Sequence, residues 1–382
     1  MSQNPNCVLC TLKHTCPEGS LFLYAATPIL RDIVASHLKD LGTPFLFDNN
    51  LFRLAFDPGG SSKIRVIRSL RDRLSDAERA DIRVSSEKGA ALLAAATLDT
   101  FGEKLDTEWF EDAIRANGYT TFFQPIVFFA KPEIGPRVFA HECLIRLFAD
   151  RAYNGGEIID AAIARGSVHL FDSYARRLNI RSAGAQVRQG TKVFVNFMPS
   201  SIYDPVFCMA STLDEMSRTD IRPSDFVFEV VESDQIRDVK HLGKICDYYR
   251  KGGFGFAMDD VGTGSNSLQT VCDLKPDFIK LDKSLILKID QPMYRTVVEK
   301  LAEFAYKYDV KVIAECVETA EAMDQLLEIG ISYMQGYYFG RPSAMMATGD
   351  SDLTRLSEHL GKTAVKSTET RRITIETPLS CV

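Results

Sequence analysis

The spacing of apolar and polar positions changes character part-way along the chain. Over residues 21–99 the pattern is mixed. Residues 21–26 read as a strand. Pro28, followed by apolar residues at Ile29, Ile33, Val34, Leu38 and Leu41, predicts a helix ending at Gly42. Segments 45–47 and 51–56, parted by Asp48-Asn49-Asn50, predict a hairpin, and Pro58-Gly59-Gly60 a turn. Residues 64–74 and 90–98 carry helical spacing. Residues 21–100 are thus expected to form a small α/β module, and they hold no motif that names a chemistry. Segment 101–118 is more charged and places Trp109, Phe110 and Ile114 on one face of a connecting helix.

From residue 119 strands and helices alternate. Residues 122–129, 138–147, 192–197, 226–231, 255–258, 278–281 and 310–314 are strand candidates, with helical patterns such as 236–250, 294–308 and 320–327 between them. Seven strands interleaved with helices over about 220 residues predict a TIM-like β/α barrel spanning 119–345. After Arg341-Pro342 the periodicity fades. Beyond a short helical pattern at 353–360, the tail 346–382 is rich in Ser, Thr and charge and is expected to be mobile.

Composition narrows the setting. The chain has 382 residues, 45% hydrophobic and 25% charged, with a formal net charge of −6. That is ordinary for a water-soluble protein and argues against a DNA-coating role, which needs a basic surface. No run reaches the ~18–20 apolar residues of a membrane span. The apolar run 21–30 is short, broken by Pro28 and without a basic leader, so no signal peptide is expected. Nine scattered cysteines fit reduced thiols and a cytoplasmic setting. In the cysteine-rich segment 1–20, Cys7, Cys10, His14 and Cys16 offer zinc-type ligands. The His14-x-Cys16 spacing is tight and no second half-site follows, which favours a terminus with free thiols.

The chemistry concentrates at the ends of the barrel strands. FGFAMDDVGTGSNSL (254–268) is a buried strand closing on two adjacent carboxylates, Asp259 and Asp260, followed by a glycine-rich loop. Two such groups are costly to hold together without a cation or proton between them. Glu142, Asn196, Glu229, Lys280 and Glu315 stand at other strand ends, and Gln335 precedes Gly336-Tyr337. Functional groups of a barrel gather where strands run out into loops at its C-terminal face. A converging set of Asp, Glu and Asn oxygens, lacking His and Cys, favours hard divalent ions, Mg²⁺ or Mn²⁺, and supplies ligands for two.

The blocks FFQPIV, Glu142-Cys143-Leu144 with Arg146, VNFMPSSIYDP, FEVVES, MDDVGTGSNSL, DFIKLD, AECVET and MQGYYFGRP, in order over residues 122–342, resemble the EAL-domain cyclic di-GMP phosphodiesterases. The resemblance implies a TIM-like barrel with one antiparallel strand. It implies metal-dependent hydrolysis of cyclic di-GMP to the linear dinucleotide pGpG. One metal would be held by Glu142, Asn196, Glu229 and Asp259, with Asp259 bridging to a second held by Asp260 and Glu315. Lys280 would orient or deprotonate the attacking water, with Glu315 and Gln335 fixing its position. Gln124, Leu144, Arg146 and Pro342 would line the nucleotide site, and Glu232 would anchor the loop 261–267. A homodimer through the barrel is implied as well, with the N-terminal module as a regulatory, sensory unit.

The chain also departs from its apparent relatives. Cys143 stands where the signature has alanine, and Cys316 where glycine is usual. Both are expected to pack into the barrel wall. Val261 replaces a common aromatic and Ser265 a tyrosine, which predicts a loosely held loop. The competing reading is a weak or inactive EAL domain that serves as a cyclic di-GMP receptor or protein-interaction module. The intact set of acids, Asn196 and Lys280 favours the enzyme.

Overall fold

The computed structural model describes residues 20–56, 61–86, 95–131, 136–230, 238–262 and 268–347. Cys7, Cys10, His14, Cys16, Glu232, loop residues 263–267 and the helical pattern at 353–360 lie outside the described residues. Two compact units part between Ala116 and Asn117, with 160–166 grouped with the first.

The first unit runs β1 (Ser20–Ala25), α1 (Pro28–Asp40), β2 (Phe45–Asp48), β3 (Leu51–Ala55), α2 (Ser61–Arg73), α3 (Asp76–Asp81), β4 (Ile82–Ser85), β5 (Ala96–Thr97), α4 (Leu98–Asp106) and α5 (Glu108–Arg115). Its five-stranded sheet has the order β2-β3-β1-β4-β5. Asn49 and Asn50, at φ 48 and 69, turn β2 into β3, and this pair of left-handed residues is what a two-residue hairpin asks for. Leu21, Leu23, Val34, Leu38, Phe52, Leu54, Leu70 and Val84 are buried together between sheet and helices.

Two expectations are corrected here. Of the helix expected at 90–98, only 95–98 are described, and Ala96–Thr97 is a strand. Thr97 is extended, and its side chain accepts from Thr100 N, so the helix starts one residue later. The single connecting helix is two helices, broken at Thr107. The Thr107 hydroxyl donates to Glu103 O at 2.7 Å, a local bond that competes with the helical ladder.

The second unit runs β6 (Tyr119–Phe129), β7 (Pro136–Phe148), β8 (Ala152–Tyr153), α6 (Gly155–Ala164), α7 (Val168–Gly184), β9 (Lys192–Phe197), α8 (Pro205–Cys208), α9 (Ala210–Met216), β10 (Phe226–Val230), α10 (Val239–Lys251), β11 (Gly255–Val261), α11 (Leu268–Leu274), β12 (Phe278–Leu281), α12 (Lys283–Ile286), α13 (Pro292–Lys307), β13 (Lys311–Ala314), α14 (Ala320–Ile329) and β14 (Tyr333–Gln335). Strand order is β6-β14-β13-β12-β11-β10-β9-β7, and β6 pairs again with β7, which closes an eight-stranded barrel. β6 is antiparallel to both its barrel neighbours, the strands β7 and β9 to β14 are parallel, and the short β8 adds antiparallel to the outer end of β7. The fold is a TIM-like barrel with one reversed strand. Among the described residues no helix is long and apolar enough to cross a membrane.

Candidate active site

An apolar floor seals the barrel interior. Ile126, Ala140, Phe194, Val227, Ala257, Phe278 and Ile313 form one buried cluster, with Tyr333 packed against it. Side chains of a strand return to the same face every second residue. Two positions along from each floor residue stand Gln124, Glu142, Asn196, Glu229, Asp259, Lys280, Glu315 and Gln335. Pairing fixes their level: Gln124 lies opposite Glu142, and Asn196 opposite Glu229. The polar set is therefore one layer of the barrel, reached from eight strands by a single step of the pleat.

Lys280 is the hub of that layer. Its Nζ lies 2.7 Å from Glu229 Oε1, 2.5 Å from Glu315 Oε1, 3.2 Å from Glu142 Oε2 and 3.5 Å from Asp259 Oδ1. Asn196 donates to Glu142 Oε1 at 3.0 Å, and Gln335 donates to Glu142 Oε2 at 2.7 Å and to Gln124 Oε1 at 3.1 Å. Gln124 in turn donates to Gly340 O at 3.3 Å. Asp260 enters by a different route. The β11–β12 register shifts between Met258 and Val261, and Asp260 takes φ 51. Such a bulge re-aims a side chain that alternation would point outward. Asp259, Asp260 and Glu315 consequently offer oxygens within 4.8 Å of one another.

Charge does not balance in this layer. Four carboxyl groups, Glu142, Glu229, Asp259 and Glu315, surround the Lys280 ammonium, and Asp260 adds a fifth beside Asp259 and Glu315. Burial raises Glu229 well above the carboxylate range, and Asp259, Glu142 and Glu315 add to it. Burial and the Asp259 charge push Glu315 up to about 8. Asp259 is raised by burial too. Glu142 is pushed up by burial, but Lys280, Gln335 and Asn196 outweigh that and hold it low. For Lys280 burial works against the charge, yet its four acids win and raise it well above an ordinary lysine.

These residues fit a divalent ion. Beyond its contact with Lys280, fully buried Glu229 has no donor to either oxygen among the described residues. Buried acceptors are rarely left so, and hard-oxygen ligands with surplus negative charge suit a hard divalent cation.

The other sequence-chosen residues stand around this layer. Leu144 and Arg146 follow Glu142 on the same face of β7. Arg146 donates to Ile145 O at 2.8 Å. Burial lowers its pKa, while Glu142 and Tyr337 act to raise it. Pro342 precedes Ser343, which pairs with Phe123 of β6 beside Gln124. Cys143 packs in the barrel wall as expected, and burial holds its thiol protonated. Cys316 is only half-buried, and its φ of 52 is the left-handed conformation a glycine would take freely. Val261, the first residue of the loop expected to be loosely held, is fully buried in the core, and loop residues 263–267 lie outside the described residues.

Sequence reasoning missed two features. β14 is three residues long and has no period to detect. Asp282 Oδ1 accepts from Ser284 N at 2.8 Å as the cap of α12, and its carboxyl lies against that of Asp260. The string DFIKLD held the signal, a cap-type residue two places after the buried lysine.

A closed barrel thus gathers acids around a buried lysine at one end, in a cluster whose oxygens fit a divalent ion. The chain belongs to the EAL domain family, whose model matches residues 107–342. It is 30% identical over 177 residues to the probable cyclic di-GMP phosphodiesterase PdeG of Escherichia coli, covering 45% of this chain and 34% of that protein. It is 30% identical over 172 residues to the cyclic di-GMP phosphodiesterase RocR of Pseudomonas aeruginosa, covering 44% of this chain and 43% of that one. The matches span less than half the length of these curated relatives. Among solved structures, a standalone versatile EAL protein from Vibrio cholerae in its c-di-GMP bound form is similar, with 27% identity and a TM-score of 0.55 over 62% of this chain and 97% of that one.

Proposed function

We propose that this chain hydrolyses one phosphodiester bond of cyclic di-GMP, giving the linear dinucleotide pGpG, with Mg²⁺ or Mn²⁺ as cofactor. The supporting observation is the complete polar layer, in which five acids, Asn196 and Lys280 meet without a gap. Glu142, Asn196, Glu229 and Asp259 would hold one ion and Asp259, Asp260 and Glu315 a second. Bound there, such ions activate water and stabilise charge on the phosphate.

The chain's own residues do the rest. Lys280, within 2.5–3.5 Å of four of these carboxylates, would orient the attacking water and offset phosphate charge. Glu315, its Oε1 2.5 Å from Lys280 Nζ, would help fix that water's position. Gln335 fixes Glu142 and Gln124, and Arg146, Leu144 and Pro342 flank the nucleotide at the mouth. The relatives' names and the bound form of the Vibrio cholerae protein support cyclic di-GMP as substrate.

We assign catalysis to the barrel, about 119–345, and regulation to the module at 21–100, in a cytoplasmic homodimer. The receptor reading is favoured by one observation, the strained Cys316 next to Glu315. Incubating the full chain with cyclic di-GMP and Mn²⁺ decides between them. Appearance of pGpG supports hydrolysis, and tight binding without product supports the receptor.

A further inference from the structure

Asn196 differs from its companions in the polar layer. The acids are drawn to Lys280 by charge, whereas a neutral amide feels little of that attraction. Its place must come from its hydrogen bond to Glu142 and from the backbone that carries it. That backbone leaves β9 at Phe197 and turns at once through Met198, Pro199 and Ser201.

The turn is gripped from behind by buried charge. Asp172 of α7, 4% exposed, accepts from Met198 N at 2.9 Å with one oxygen and from the Ser201 hydroxyl with the other. Arg176, one helical turn on and 1% exposed, sets Nη1 2.9 Å from Asp172 Oδ2. The guanidinium lies against the Tyr249 hydroxyl, and Tyr249 stacks on Phe228 at 4.1 Å and meets Phe197 edge-on at 5.3 Å. Phe228 and Phe197 adjoin Glu229 and Asn196 in sequence. His169 donates to Ser201 O and His241 to Ile202 O, which completes the grip.

A fully buried ion pair contributes little net stability compared with apolar residues of similar volume. What the pair does provide is a fixed geometry for the groups it bonds. We infer that Asp172, kept in position by Arg176, is a positioning residue that sets the Asn196 amide for metal binding, an inference that rests on the metal-dependent reading above.

The test compares wild type, Asp172→Ala, the double variant Asp172→Ala/Arg176→Leu, and Glu215→Gln as a control. Glu215 pairs with Arg181 on the same helix α7, away from the turn, so its loss reports stability alone. The double variant leaves no orphan charge and keeps the test open if the single variant fails to fold. Mn²⁺ binding is measured by calorimetry on the full chain, with thermal midpoint alongside. We expect binding at least 10-fold weaker in the Asp172 variants and unchanged in Glu215→Gln, with hydrolysis restored at saturating Mn²⁺. Wild-type Mn²⁺ affinity in folded Asp172 variants, whatever their midpoint, overturns the inference and leaves the hydrolase reading intact. A wild type that binds no Mn²⁺ overturns both.

Discussion

Lys280 Nζ and Glu229 Oε1 lie 2.7 Å apart, and both side chains are essentially sealed from solvent. On the sequence alone Lys280 reads as a residue whose loss harms catalysis far more than folding. Its four carboxylate contacts change that expectation. Removing one partner of a buried pair costs about 3–5 kcal/mol, because the charges left behind are uncompensated. Lys280→Ala is therefore expected to lose hydrolysis and also to melt early in metal-free buffer, with Mn²⁺ restoring much of the stability but not the rate. Thermal melts with and without Mn²⁺ check this, and an unchanged metal-free midpoint would contradict it.

The same surplus of acids predicts a pH dependence. Folding raises the proton affinity of Glu315, to about 8, and of Glu229 and Asp259. The folded chain then binds more protons than the unfolded one between the ordinary carboxylate range and about 8. Stability from these protonated acids is complete below the unfolded value and is lost as pH rises through the folded one. The metal-free midpoint should fall from pH 5.5 to pH 8.5, and saturating Mn²⁺ should flatten the fall. A metal-free midpoint that rises over that interval would refute the charge balance described here.

Val261 sits in the barrel core. A valine where relatives commonly have an aromatic suggests a weak loop that Val261→Phe would tighten. The side chain is in fact fully buried, and a Cβ on the following Gly262, at φ 111, would meet Leu285 Cδ1 at 2.6 Å. Overpacking a filled site costs about 1–3 kcal/mol. Val261→Phe should therefore lower stability by that amount and reduce activity, as read by denaturant unfolding and turnover.

Cys316 holds a left-handed backbone directly after Glu315. A β-branched side chain in that conformation costs roughly 1–2 kcal/mol more than glycine. Cys316→Gly should be close to neutral in stability and should not reduce turnover, while Cys316→Val should lose about that much stability. Equal stability of the two variants would place the strain elsewhere.

Much of this was legible in the sequence because the barrel obeys simple periods. Strands such as 192–197 and 278–281 carry the polar residue that matters at their next-to-last position, and parallel strands buried on both faces read as apolar runs. The polar layer was visible residue by residue for the same reason. What stayed hidden lacks a period. β14 is too short, the bulge that turns Asp260 inward is a backbone event, and the grip of Asp172 on Met198 joins residues 26 positions apart. Charge coupling is hidden too, since nothing in a string of letters says that four acids share one lysine.

The central claim is that this polar layer is a metal-dependent hydrolytic site in which Asp259 would serve both ions as a ligand. It is tested most directly by following pGpG formation from cyclic di-GMP in saturating Mn²⁺ by wild type and Asp259→Asn, with folding of both confirmed by melting. The account predicts product from wild type, its loss on chelation, and a fall of at least ~100-fold in the variant, the scale of losing a principal electrostatic contact to the reacting phosphate. Turnover near the wild-type rate in Asp259→Asn, or a wild type that binds cyclic di-GMP in Mn²⁺ and leaves it intact, would contradict it.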